Sequence, residues 1–223
     1  AFVLNRSSDL AVRELMYETN NHNITNVSGN TVTFDPGAIT AGWGFILMND
    51  IKMCTQTNEW VYNTSTKKLS VYAASVPTNV QIPTVEHGID VNGKQYVTFD
   101  NLDIRGFNTT GVYIRTNTIP NGIRVNSCDF SFIGVNAIDG YGDPDVIPHG
   151  NAPNLRVTGC TFTDIGSRGI WGASSDNGYY DSNTLTRIGS MAGMGSNGDN
   201  SYTGIIADGD NSYVGNNRLY KIG

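Results

Sequence analysis

Along the second half of the chain one short arrangement of apolar and polar positions recurs five times. Its instances are Asp100-Asn101-Leu102-Asp103-Ile104, Asn126-Ser127-Cys128-Asp129-Phe130, Thr158-Gly159-Cys160-Thr161-Phe162, Asp181-Ser182-Asn183-Thr184-Leu185 and Gly215-Asn216-Asn217-Arg218-Leu219. Each sets Leu, Cys or Asn before a variable residue and then a bulky apolar anchor. The anchors Ile104, Phe130, Phe162, Leu185 and Leu219 are spaced 26, 32, 23 and 34 residues apart. Four of the five phrases close three residues later on Ile-Gly: Ile133-Gly134, Ile165-Gly166, Ile188-Gly189 and Ile222-Gly223. A repeat of this length with variable insertions predicts a solenoid in which each turn buries its face against its neighbours. The five anchors are expected to be buried in one stacked column.

The period inside each repeat decides the kind of solenoid. Tyr96-Val97-Thr98-Phe99 and Leu155-Arg156-Val157 alternate apolar and polar residues, which predicts strands, and no stretch sustains a helical period. Gly, Asn, Asp and Ser punctuate the strands as turn formers. The reading is an all-β chain built as a parallel β-helix.

Before residue 85 the repeat is absent. Thr31-Val32-Thr33-Phe34 followed by Asp35-Pro36-Gly37 reads as a strand ending in a turn. Glu59-Trp60-Val61-Tyr62 and Lys68-Leu69-Ser70-Val71-Tyr72, joined through Asn63-Thr64-Ser65-Thr66, read as a hairpin. Pro77 and Pro83 bracket an extended segment. The expected organisation is therefore an N-terminal β-rich segment over 1–84 and parallel β-helix coils over 85–223.

Over about residues 85–223 the chain resembles the right-handed parallel β-helices of the pectate-lyase-like superfamily. The block Gly42-Trp43-Gly44-Phe45, Glu59-Trp60-Val61-Tyr62 and Lys68-Leu69-Ser70-Val71-Tyr72 resembles one in secreted bacterial β-helix proteins associated with polysaccharides. The resemblance implies a secreted or cell-surface, carbohydrate-active protein whose partner is a polysaccharide. A fold of this kind does not by itself fix an activity.

Charge narrows the partners. With 14 basic against 20 acidic residues, a net charge of −6 and no basic run, neither nucleic acid nor an anionic membrane surface is an expected partner. No stretch of 18 apolar residues offers a membrane span. The chain opens mid-phrase on Ala1-Phe2-Val3-Leu4 and stops on Ile222-Gly223 without a polar cap, so it reads as a piece of a longer protein. Cys128 and Cys160 share one slot in adjacent repeats. A disulfide or a metal pair is one reading, small side chains stacked inside the coil the other, and the absence of C-x-x-C spacing argues against zinc. Asn183 and Asn217 continue the same slot and read as a hydrogen-bonding ladder.

A second alignment falls on the strand after each turn: Gly88-Ile89-Asp90-Val91-Asn92, Gly111-Val112-Tyr113-Ile114-Arg115, Ala137-Ile138-Asp139-Gly140-Tyr141, Gly169-Ile170-Trp171-Gly172-Ala173 and Gly204-Ile205-Ile206-Ala207-Asp208. If the second column points inward, period two sends the third and fifth outward. The outer surface then carries Asp90, Tyr113, Asp139, Trp171, Arg115, Tyr141 and Asp208. Aromatic faces stack on sugar rings, and arginine recognises carboxylates. A loop containing Asp143, Asp145 and His149 follows Asp139 and offers an acid, a base or calcium ligands, calcium being the one cofactor suggested. The Gly/Asn/Ser-rich loop 191–203 is expected to wall the same groove.

Two chemistries fit. A glycoside hydrolase needs paired carboxylates, met by Asp139 with Asp143 or Asp145. A polysaccharide lyase needs a base and a partner for a uronate carboxylate, met by Arg115, Tyr141 and His149. Tyr113, Trp171, Asp90 and Asp208 would bind substrate. Carboxylates outnumber bases, which favours the hydrolase. The competing class is a non-catalytic β-helix: a glycan-binding adhesin or structural spacer that keeps the aromatics and needs no paired acids.

Overall fold

The computed structural model describes residues 9–15, 18–35, 42, 44–63, 65–114, 119–141, 152–189, 198–199 and 202–223. The chain forms two units, 1–80 with 197–199, and 81–196 with 200–223. In the first, strands Asp9–Leu15, Glu18–Ser28, Thr31–Phe34 and Phe45–Leu47 form an antiparallel sheet, which Gly198–Asp199 joins by pairing with Thr19 and Glu18. Leu10, Val12 and Ile24 form its small core. The expected hairpin is present as Trp60–Asn63 paired with Lys68–Val71, and the Asn63 side chain accepts from the backbone N–H groups of Ser65 and Thr66 to close the turn.

The second unit is a parallel β-helix of three five-stranded sheets. Sheet I contains His87–Asp90, Thr110–Tyr113, Asn136–Asp139, Arg168–Trp171 and Ile205–Ile206. Sheet II contains Thr98–Asp100, Arg124–Asn126, Arg156–Thr158, Tyr179–Asp181 and Tyr213–Gly215. Sheet III contains Asp103–Phe107, Asp129–Ile133, Thr161–Ile165, Thr184–Ile188 and Arg218–Ile222. Every coil visits the three in that order, and each strand pairs with the equivalent strand one coil away.

The five anchors stack as expected, in the order Ile104, Phe130, Phe162, Leu185, Leu219. The rings of Phe130 and Phe162 lie parallel, 4.9 Å apart. Four of the anchors are buried, but Leu219 is 50% exposed. It stands in the last described coil, in register with Leu185 of the coil before it.

The corner between sheets II and III explains the recurring phrase. Asn101, Ser127, Gly159, Ser182 and Asn216, one per coil, have φ of 55, 49, 64, 57 and 53°. A left-handed residue at one fixed point turns the chain sharply; Gly and Asn meet that demand at low cost, while Ser127 and Ser182 adopt it against the usual steric preference. The next residue is the slot held by Leu, Cys or Asn. Asn217 Oδ1 accepts from the Asn183 N–H at 2.9 Å, Asn183 Oδ1 from the Cys160 N–H at 3.0 Å, and Cys160 Sγ from the Cys128 N–H at 3.4 Å. Each of these side chains also donates to a carbonyl of the preceding coil: Asn217 to Tyr180, Asn183 to Val157 and Cys160 to Val125. The two cysteines are free thiols and weaker rungs of the same ladder as the asparagines.

The closing glycines follow from backbone proximity. A Cβ on Gly134 would collide with the Asn108 carbonyl, and one on Gly166 with the Gly134 carbonyl.

Two measurements check this account. Phe130→Ala should lower the free energy of unfolding by roughly 3–5 kcal/mol, and Leu219→Ala by about 1 kcal/mol because half of that side chain is already in water; comparable losses would contradict the stacking described. Burial pushes the Cys160 thiol up to about 12, and burial also raises Cys128 and Cys54. A disulfide-exchange reagent at mildly alkaline pH should therefore label the half-buried Cys54 first, and Cys128 and Cys160 only on unfolding.

Candidate functional site

Sheet I aligns its strands as the sequence implies: Val112, Ile138 and Ile170 stack in one buried column, with Tyr113, Asp139 and Trp171 on successive rungs beside them. Strict alternation nevertheless fails one position earlier. Ala137 is fully buried, like Ile138 after it, and a Cβ on Gly111 would lie 2.8 Å from Ile133 Cδ1 and 3.0 Å from Phe130 Cδ1. Two consecutive residues of each strand thus face the core. The residue before the pair and the residue after it are thereby brought to the same side.

That side is a polar and aromatic cluster. Asn136 Nδ2 donates to Asp139 Oδ2 at 3.0 Å, and the Tyr141 N–H donates to Asp139 Oδ1 at 3.3 Å. Arg168 Nη1 donates to Asn136 Oδ1 at 3.5 Å, and the Arg168 guanidinium lies 3.9 Å over the Trp171 ring. Trp171 stacks on Tyr141 at 4.5 Å with 4° between planes, while His87 stacks on Tyr113 at 4.2 Å. Neither pair is a register pair: Trp171 is aligned with Asp139 and His87 with Thr110, so each stack reaches across from a position two or three residues away along the neighbouring strand. Among the described residues, His87 Nδ1 and Thr110 Oγ1 on these strands are buried without a hydrogen-bond partner.

Several expectations change. Asp139 is 4% exposed and held by Asn136 and the Tyr141 backbone, so it is not an outward-facing free carboxylate. The bend that doubles the inward positions brings Asn136 over it. The fifth column is not uniformly outward either: Ala173, in the turn after its strand, is buried, while Asn92 and Asp208 are exposed and Tyr141 is half-buried. Asp90 and Asp208 serve turns: Asp90 accepts from the Asn92 N–H at 2.9 Å and Asp208 from the Ser174 N–H. Tyr113, Asp139, Tyr141 and Trp171 are brought together, whereas Asp90 and Asp208 stand in the first and last coils. Arg115, Asp143, Asp145 and His149 lie outside the described residues. Among the described residues no group of three or more His, Cys, Asp or Glu side chains is arranged to hold a metal ion.

Sequence reasoning missed Asn136 and Arg168, the latter only 3% exposed. A signal was present. Period two would bury His87, Thr110, Asn136 and Arg168 inside the coil, and an arginine there is untenable without a partner. That conflict marks the strand as bent. No family model matches this chain, and no curated protein or solved structure matches it either.

Asn136→Ala removes one partner from both Asp139 and Arg168 and should destabilise the fold by about 1–3 kcal/mol in denaturant titration. Asp90→Ala, which touches only an exposed turn, should shift stability by under about 0.5 kcal/mol.

Proposed function

We propose that the chain is a secreted, carbohydrate-active protein of the pectate-lyase-like kind that cleaves a polysaccharide lying along the outer side of sheet I. The observation that carries this reading is the Asn136–Asp139–Arg168 network set between two stacked aromatic pairs. Aromatic groups on successive coils suit a chain of sugar rings, and a carboxylate fixed on a rigid strand suits proton transfer at a defined point. In a hydrolase Asp139 is the acid or base, and a second carboxylate, Asp143 or Asp145, completes the pair. In a lyase Arg168 and Arg115 meet the substrate's carboxylate, with Tyr141 or His149 as base.

A non-catalytic glycan-binding reading is favoured by one feature: both Asp139 oxygens already accept hydrogen bonds, as in a structural carboxylate. A panel of plant, algal and host glycans separates these readings, with reducing ends reporting hydrolysis and ultraviolet absorbance of unsaturated ends reporting elimination. Cleavage should appear with wild type and fall by at least about 100-fold in Asp139→Asn, whose amide replaces one acceptor oxygen at a cost of about 1–3 kcal/mol and is therefore compared under conditions where circular dichroism shows it folded. Near-full activity in the variant would move the chemistry away from Asp139. Binding without cleavage by wild type would establish the non-catalytic reading.

A further inference from the structure

Sheet II carries a second surface with its own chemistry. In its first outward column Thr98, Arg124, Arg156, Tyr179 and Tyr213 stand on successive coils in register. Arg124 and Arg156 are exposed. Neighbouring rungs are about 4.8 Å apart, so two guanidinium groups share a small area, and neither has a carboxylate within ion-pair distance among the described residues. Asp100 and Asp181 belong to the other outward column of this sheet. Asp181 accepts from Asn216 Nδ2 at 2.8 Å and from Ser182 Oγ at 2.9 Å.

The column changes character above the arginines. Tyr179 and Tyr213 stack with ring centroids 4.8 Å apart, and the Arg156 guanidinium lies 5.4 Å from the Tyr179 ring. Tyr213 leans over Gly215, where any Cβ would collide with its phenol. Tyr213 is 45% exposed. In a chain of net charge −6, an uncompensated arginine pair continuing into a tyrosine ladder is a local inversion of the protein's charge. Charge complementarity selects an anion, and the tyrosines select a ligand with ring faces and hydroxyls to pack and hydrogen-bond against.

We propose that the outer face of sheet II is a binding surface for an anionic polysaccharide, Arg124 and Arg156 taking its carboxylate or sulfate groups and Tyr179 and Tyr213 its sugar rings. It extends the glycan reading of sheet I and does not require sheet I to be catalytic. A chain held here lies across the coils, parallel to one held on sheet I.

Titration calorimetry on the full chain with dextran, dextran sulfate, polygalacturonate and inorganic polyphosphate tests it. Dextran sulfate or polygalacturonate should bind and dextran should not, the two anionic polymers separating sulfate from carboxylate recognition. The double variant Arg124→Gln/Arg156→Gln should weaken that binding by at least about tenfold. Tyr213→Ala should weaken it independently and leave polyphosphate untouched. All three residues are solvent-accessible, so circular dichroism should report unchanged folding. The Arg124→Gln/Arg156→Gln variant keeps every sheet I residue in place and should lose this binding whether or not the wild type cleaves any glycan, which separates failure of this surface from failure of the sheet I reading. Polysaccharide binding unaffected by the arginine variant, or polyphosphate bound as tightly as the sulfated glycan, would overturn the proposal.

Discussion

Each coil of this protein satisfies its backbone polar groups only by lying in register on the next, and most other features are consequences of that constraint. A strand of two to five residues has too few partners to stand alone. Stacked, its N–H and C=O groups are paired above and below, as in the runs from Gly134 N–H to Phe107 O and from Gly166 N–H to Ile133 O. The coil spacing then becomes the unit of length for every side chain. Like residues align over like, so a phenylalanine meets a phenylalanine and an arginine an arginine. Aromatic stacking in such a fold is the default geometry, and charge stacking is the exception that requires an explanation.

Register must be protected at the corners, where strands stop and the ladder would fray. At the corner between sheets II and III each coil has one left-handed residue and, in every coil after the first, a hydrogen-bonding side chain next to it. The Asn and Cys rungs cap the N–H of the coil below and a carbonyl beside it, groups that would otherwise be buried without partners. The order Leu102, Cys128, Cys160, Asn183, Asn217 grades from no hydrogen bond through weak thiol contacts to full amide pairing. The closing Ile-Gly works on the opposite principle: the coils come so close at Gly134 and Gly166 that a side chain has no room.

The anchors, the ladder slot and the strand order were legible in sequence because each depends on a residue type that only one environment tolerates. Phe130 and Phe162 need a core, and Asn101, Gly159 and Asn216 fit a left-handed corner. Less legible was the geometry of sheet I. Period-two reasoning assumes an unbent strand, and it fails at Ala137-Ile138, where both residues turn inward. From the correct register of Ile138 it therefore exposed Asp139 and would bury Asn136, whereas the two side chains bond to each other. In sheet II the alternation is regular. Leu155-Arg156-Val157 placed Arg156 outside, but its position over Arg124 and beneath Tyr179 appears only when coils of unequal length are brought into register.

The two outer faces differ in how they treat charge, and the difference bears on what each can do. On sheet I a guanidinium is withdrawn from water, laid on Trp171 and bonded to Asn136, so its orientation is fixed before any ligand arrives. Such a group loses little freedom on binding, and its field is strong where water is excluded. On sheet II the guanidinium groups stand in solvent, Arg156 beside the Tyr179 ring, and exposed charges of this kind attract more than they orient. A preorganised cluster suits discrimination at one position along a ligand. An exposed column suits retention of a long one, because many weak contacts hold a polymer without fixing it. The bend at Ala137-Ile138 is what separates these behaviours: an unbent strand would leave Asn136 and Asp139 on opposite sides, and the hydrogen bond between them could not form.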